Sequence, residues 1–250
     1  MSIRITKIEI DRSEEAAEPS ADSQCPGRRL LRGTGRKSCG FTVVELAIVL
    51  GIIGIVASLA IPATSRLSDN RRLYSSVDTL GWAFSYARGE AQRSGNLHIV
   101  YVRTDAQGGD LFDTPGHQVD ILIHDDGRPG SPNQNCQIDG GEPVVGRSLE
   151  ASVAFGLSDA DAKVGTDGGG GDATTGATFV NAGGGQANWV VFRPEGLPVP
   201  FSPDCSMGEV GNGSGGVYLT NGVRDASLVV SPLGATRVHV YRPASDSWSS

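Results

Sequence analysis

Few side chains in this 250-residue chain have the types and spacing that chemistry demands. Asp125, Asp126, Asp139 and Glu142 crowd the stretch "HDDGRPGSPNQNCQIDGGEPVV" (124–145) and can offer hard oxygen ligands to Ca²⁺. No EF-hand spacing orders them, so an acidic, solvated hairpin loop is the expectation, with calcium the one candidate cofactor. The histidines His98, His117, His124 and His239 are scattered without metal-ligand spacing and read as ordinary strand or loop residues. Of four cysteines, Cys25 and Cys39 precede residue 40, while Cys136 and Cys205 lie in the polar remainder. No CxxC or Cys/His cluster occurs, which speaks against zinc. If the polar remainder is exported, Cys136 and Cys205 are expected to pair, closing a loop of roughly 70 residues worth about 4 kcal/mol. "GNGSGG" (211–216) matches G-x-G-x-x-G but precedes a strand instead of opening a helix, so it fails as a dinucleotide site. Without G-x-S-x-G, Walker A or H-E-x-x-H, the chain reads as a non-enzyme.

One charge stands out by its surroundings. From Phe41 to Ile61 run 21 residues that are apolar or small except Thr42, Glu45 and Ser58. As a helix this run is about 31 Å long, enough to cross a bilayer core. A carboxylate placed in such a helix costs about 2.5–3.5 kcal/mol on insertion scales, so Glu45 needs a compensating partner. Arg28, Arg29, Arg32, Arg36 and Lys37 lie just before the run and predict a cytoplasmic N-terminus. A secretory signal peptide would be shorter, with its small-residue cleavage site after the apolar stretch. Here the small residue, Gly40, comes first.

The stretch "RKSCGFTVVELAIVLGIIGIVASLAIP" (36–62) resembles the class III leader of type IV pilins and type II secretion pseudopilins. The resemblance implies that residues 1–40 are a cytoplasmic leader, removed by a prepilin peptidase that cuts after Gly40. It implies that Phe41 becomes the N-methylated first residue and that Glu45, fifth in the mature chain, meets the N-terminal ammonium of a neighbouring subunit. Pro62 takes the place of the family's helix-kinking proline.

Behind the run the pattern turns amphipathic. Leu73, Val77, Leu80, Phe84, Ala87 and Ala91 form one apolar stripe at helical spacing, expected to pack on a globular domain. The helix is expected to stop near Ser94–Gly95, with Gly95 as cap. "HIVYV" (98–102), "VDILI" (119–123), "PVVGRSL", "ANWVVFRP", "GVYLTNG", "ASLVVSP" and "TRVHVYRP" read as strands between Gly/Pro turns. "GTDGGGGDATTGATFVNAGGGQ" (165–186) reads as a flexible low-complexity loop. The organisation is therefore a leader at 1–40, a transmembrane helix at 41–61, an amphipathic helix at 62–95 and a β-rich domain at 96–250. The fold class is α+β, one long helix packed on an antiparallel β domain. "ARGEAQRSGNLHIVYV" (87–102) and "VVFRPEGLPVP" through "ASLVVSPLGATRVHVY", with a turn at Pro232–Leu233–Gly234, resemble the GspH/FimT branch of the family.

Charge separates the functions that this branch offers. Residues 41–250 hold thirteen Lys/Arg and twenty-two Asp/Glu, a balance of −9 that disfavours nucleic acid as a partner. The resemblance implies a minor pseudopilin of the type II secretion system, anchored in the inner membrane with its C-terminal domain in the periplasm. Its implied partners are other major and minor pseudopilins, the prepilin peptidase/N-methyltransferase, the inner-membrane assembly platform and secreted exoproteins. The alternative is a FimT/FimU-like minor type IV pilin serving pilus assembly or DNA uptake. Its candidate surface is Arg224, Arg237, His239 and Arg242.

Overall fold

The computed structural model describes residues 41–104, 110–139 and 141–249, with the backbone alone for 59–67. The chain divides into two units, 1–50 and 51–250. In the first, the described residues are the start of helix α1 (Val43–Ser94). The second holds the rest of α1 and the β strands.

The helix ends where its sequence says it should. Gly95 takes the left-handed conformation (φ 74°) and donates its N–H to the Ala91 carbonyl at 3.0 Å, a one-residue cap that costs glycine no steric strain. The chain then enters β1 (His98–Val102), followed by β2 (Leu111–Thr114), β3 (His117–Val119), β4 (Ile121–Asp125), β5 (Val144–Arg147) and β6 (Ala154–Phe155). A 3₁₀ turn at Ala173–Thr175 precedes β7 (Trp189–Phe192), β8 (Pro198–Val199), β9 (Gly215–Thr220), β10 (Asp225–Val230), β11 (Thr236–Arg242) and β12 (Ser247–Ser249). Two antiparallel five-stranded sheets result, in the orders β5-β4-β1-β7-β8 and β12-β11-β10-β9-β6, with β2-β3 a separate hairpin.

The expected stripe is the centre of the core. Leu73, Val77, Leu80, Phe84, Ala87 and Ala91 are all buried, joined by Ala83. They pack against Val100, Val102, Ile121, Ile123, Val190 and Phe192 of the first sheet and Val217, Leu219, Ala226, Leu228 and Val230 of the second. Strand alternation splits β1 cleanly: Val100 and Val102 face this core, whereas Ile99 joins Leu97, Val191, Val199 and Phe201 in a smaller cluster on the opposite face.

Two expectations change. "VDILI" is not one strand, because β3 ends at Val119 and β4 begins at Ile121. Asp120 sits between them, its carboxylate accepting bonds from Arg103 and from the Leu149 N–H at 2.8 Å. The Gly-rich segment 165–186 is also no loose loop. Asp167, buried, accepts from the hydroxyls of Thr178 and Tyr218 at 2.6 Å each, and Phe179 stacks on Phe84 in the main core. A Cβ on Gly169 would lie 2.3 Å from the Thr178 carbonyl oxygen, so a glycine here permits close backbone approach instead of freedom.

Asp225, at the start of β10, is fully buried and anchors the loop after β6. Its carboxylate accepts the N–H groups of Ser158, Asp159 and Ala160 and the Ser158 hydroxyl, at 2.8–3.1 Å. Burial alone would raise its pKa, but the N–H groups of Ala160 and Asp159 and the neighbouring hydroxyls outweigh it, and the net shift is downward. A depressed pKa contributes stability that is present above the ordinary carboxylate range and lost as pH falls through the folded-state value. Asp225→Asn should therefore destabilise the protein by about 1.5–3 kcal/mol at neutral pH. The gap to the parent should close as denaturation midpoints are followed from about pH 7 to about pH 3. A gap that does not change with pH would contradict this account.

Candidate functional site

The start of α1 is a self-contained cap. Thr42 Oγ1 accepts the Glu45 N–H at 3.2 Å, and Glu45 Oε2 accepts the Thr42 N–H at 3.1 Å and its hydroxyl at 3.0 Å. This reciprocal T-x-x-E capping box satisfies two of the helix's free N–H groups. It also fixes the Glu45 carboxylate beside the backbone of Thr42, one residue from Phe41, which is itself 86 % exposed. Thr42 has a role that attention to the glutamate missed; its spacing from Glu45 is the readable signal.

Behind the cap, Val43, Val44, Leu46, Ile48, Val49, Leu50, Ile52, Ile53, Ile55 and Val56 are all exposed. Apolar residues cover every side of this stretch instead of one face, a pattern suited to lipid or to a bundle of like helices. Among the described residues no helix is long and apolar enough to cross a membrane. The expected span 41–61 runs onto 59–61, whose side chains lie outside the described residues, as does the side chain of the expected kink residue Pro62. Gly40, the expected cleavage residue, and the rest of 1–40 also lie outside them.

Of the four carboxylates proposed for calcium, only Asp126 and Glu142 come together, within 4.8 Å beside His124; Asp125 and Asp139 are engaged elsewhere. Asp125 accepts from Asn96 Nδ2 at 3.0 Å and the Gly127 N–H at 3.1 Å, and Asp139 accepts from Asn135 Nδ2 at 2.6 Å. Asp126 is buried, not solvated, and its Oδ1 accepts the N–H groups of Cys136 (2.7 Å) and Asn135 (3.2 Å). Burial pushes the Asp126 carboxyl above its ordinary range, against those bonds. Glu142 Oε2 lies 2.6 Å from Nε2 of His124, a residue with no exposed surface. His98 and His239 are buried too, and burial lowers the pKa of each. Nothing local in the sequence marks His124 as special: Asp126 lies only two residues on, but Glu142 reaches it only through the β4–β5 return.

Cys136 and Cys205 are disulfide-bonded, 69 residues apart. The bridge closes over the outer cluster of the first sheet, where Cys136 packs with Leu97, Ile99, Val191 and Phe201. Elsewhere, Arg224 and Arg242 line one groove with Tyr74 and Tyr241, while Arg237 lies near the other end of β11 beside Thr166 and Val229. The four residues considered for DNA therefore do not form one surface: the arginines split, and His239 is buried.

Residues 35–61 match the prokaryotic N-terminal methylation motif. The chain thus carries a type IV pilin-like prepilin leader, the mark of proteins that a prepilin peptidase processes and that assemble into pilus-like polymers. No curated protein matches the chain. No solved structure matches it either. The motif suggests a structural protein of the pilin-like and pseudopilin group.

The disulfide yields a direct test. Replacing both Cys136 and Cys205 by Ser should lower the denaturation midpoint by the equivalent of about 2–5 kcal/mol. The parent should fall to the same midpoint under reductant, and a parent insensitive to reductant would contradict the pairing.

Proposed function

We propose that the chain is a minor pseudopilin of a type II secretion system, a structural subunit of the periplasmic pseudopilus. The observation that carries this reading is the leader junction. A basic segment, Gly40, Phe41 and a glutamate held at the helix start precede a run that is apolar all round. In this reading the leader is cut after Gly40, Phe41 is methylated, and the helix waits in the inner membrane with its C-terminal domain in the periplasm. Glu45 is then the device for extraction: its carboxylate is dear in lipid and is matched in the filament by the N-terminal ammonium of a neighbouring subunit. Other pseudopilins and the inner-membrane assembly platform are its partners, and exported proteins are what the filament moves. The disulfide suits an oxidising compartment such as the periplasm. The acidic balance of residues 41–250 suits protein partners better than polyanions.

A minor type IV pilin is the second reading. The observation that favours it is the groove bordered by Arg224 and Arg242, two cations near the chain's last strands.

The test is the distribution of secreted enzymes between culture supernatant and periplasm in a deletion strain. Complementation uses the parent gene or Glu45→Leu. The deletion and the Glu45→Leu strain should both retain the enzymes in the periplasm, and the parent gene should restore release. The Glu45→Leu protein should still fractionate with the inner membrane. Normal secretion in the deletion would overturn the secretion role and move the weight to the pilus reading.

A further inference from the structure

We propose that His124, Asp126 and Glu142 form a binding site for one divalent transition-metal cation, with Zn²⁺ the best chemical fit. The three residues come from one return of the chain. His124 lies near the end of β4, opposite Val144 of β5; Asp126 immediately follows β4, and Glu142 stands just before β5. A ligand atom from each lies within 4.8 Å of the other two. His124 Nε2 and Glu142 Oε2 are already 2.6 Å apart.

Two features single this trio out from an ordinary polar cluster. His124 and Asp126 are both 0 % exposed, yet His124 Nδ1 and Asp126 Oδ2 are buried with no hydrogen-bond partner. Buried polar atoms are satisfied in the great majority of cases, so two such atoms only two residues apart call for something the protein does not supply. The charge points the same way. Two carboxylates face a single imidazole, and among the described ion pairs no Lys or Arg reaches either of them. An excess of negative charge away from water is costly, and a bound cation offsets it.

The donor set selects the metal. One imidazole nitrogen with two carboxylates lacks the six to eight oxygens that calcium takes, whereas nitrogen–oxygen sets of three protein ligands are familiar for zinc, which then keeps a fourth position for water. Glu142 also borders an open groove with Phe112, Ile138 and Asp139, which provides an entry path. Asp126 is held for the role by the Cys136 N–H, in the residue that the disulfide pins. The site would tie the 126–143 loop to the first sheet, and it involves His124 where a calcium reading would involve Asp125 and Asp139.

The experiment uses the full chain in detergent, with Cys25→Ser and Cys39→Ser so that no free thiol competes. After stripping with a chelator it is titrated with ZnCl₂ and, separately, CaCl₂, by calorimetry and by thermal unfolding. The parent should take up about one Zn²⁺ per chain and gain thermal stability. Glu142→Gln should weaken zinc binding by about tenfold or more, and Asp139→Asn should leave it unchanged. The parent titration decides the matter even if a variant proves unstable. Absence of saturable zinc binding, saturation by calcium alone, or equal affinity in a folded Glu142→Gln protein would each overturn the proposal.

Discussion

The burial of one helix stripe, Leu73 to Ala91, against both five-stranded sheets is the contact on which the β domain depends. Each sheet carries its own row of Val, Ile and Leu toward that stripe, and each of these larger apolar side chains gains about 1.5–3 kcal/mol by leaving water. Phe84 reaches Phe179 and Phe192 from the middle of the row, so the helix, the Gly-rich segment and the first sheet share one packed centre. Outer faces are closed by smaller devices: the disulfide cluster over the first sheet, and Tyr218, Val229 and Trp248 over the second. The helix is thus an integral wall of the β domain.

The same helix begins under a different rule. Between Val43 and Val56 the apolar side chains are exposed on every side, a pattern suited to lipid or to a bundle of like helices. The capping box at Thr42 and Glu45 meets the hydrogen-bonding needs of the helix start but brings no opposite charge to the carboxylate. On the pseudopilin reading proposed above, an assembly of like chains brings a cation to this first turn.

Periodicity made much of this architecture legible. The 73–91 stripe, the Gly95 cap and strands β1, β5, β7, β9, β10 and β11 were readable because long apolar periods and β-branched runs report burial directly. The turn at Pro232–Leu233–Gly234 was expected from the family resemblance, and Gly234 (φ 76°) does take the left-handed conformation there. Strands β6, β8 and β12 were not readable, since each has only two or three residues, too few to show a period, and β6 is also paired by a neighbour distant in sequence. The β2–β3 hairpin alternates too weakly to stand out. Glycines at 168–171 signalled freedom by composition, whereas the fold uses them for close packing. At the sites the division is similar: Glu45 and the two cysteines could be named from the sequence, but the meeting of His124 with Asp126 and Glu142, and the burial of Asp225, arise only from tertiary pairing.

A pilin-like reading places the decisive chemistry at one peptide bond, between Gly40 and Phe41. On that reading, removal of the leader would create the ammonium that meets Glu45 of another subunit, so cleavage and assembly would be one electrostatic event seen from two sides. The most direct measurement is mass spectrometry of the N-terminal peptide of the protein isolated from membranes of its native host. The account predicts a chain that begins at Phe41 and carries one added methyl group on its α-nitrogen. A mature protein that retains residues before Phe41, or begins at a residue beyond it, would contradict the central claim.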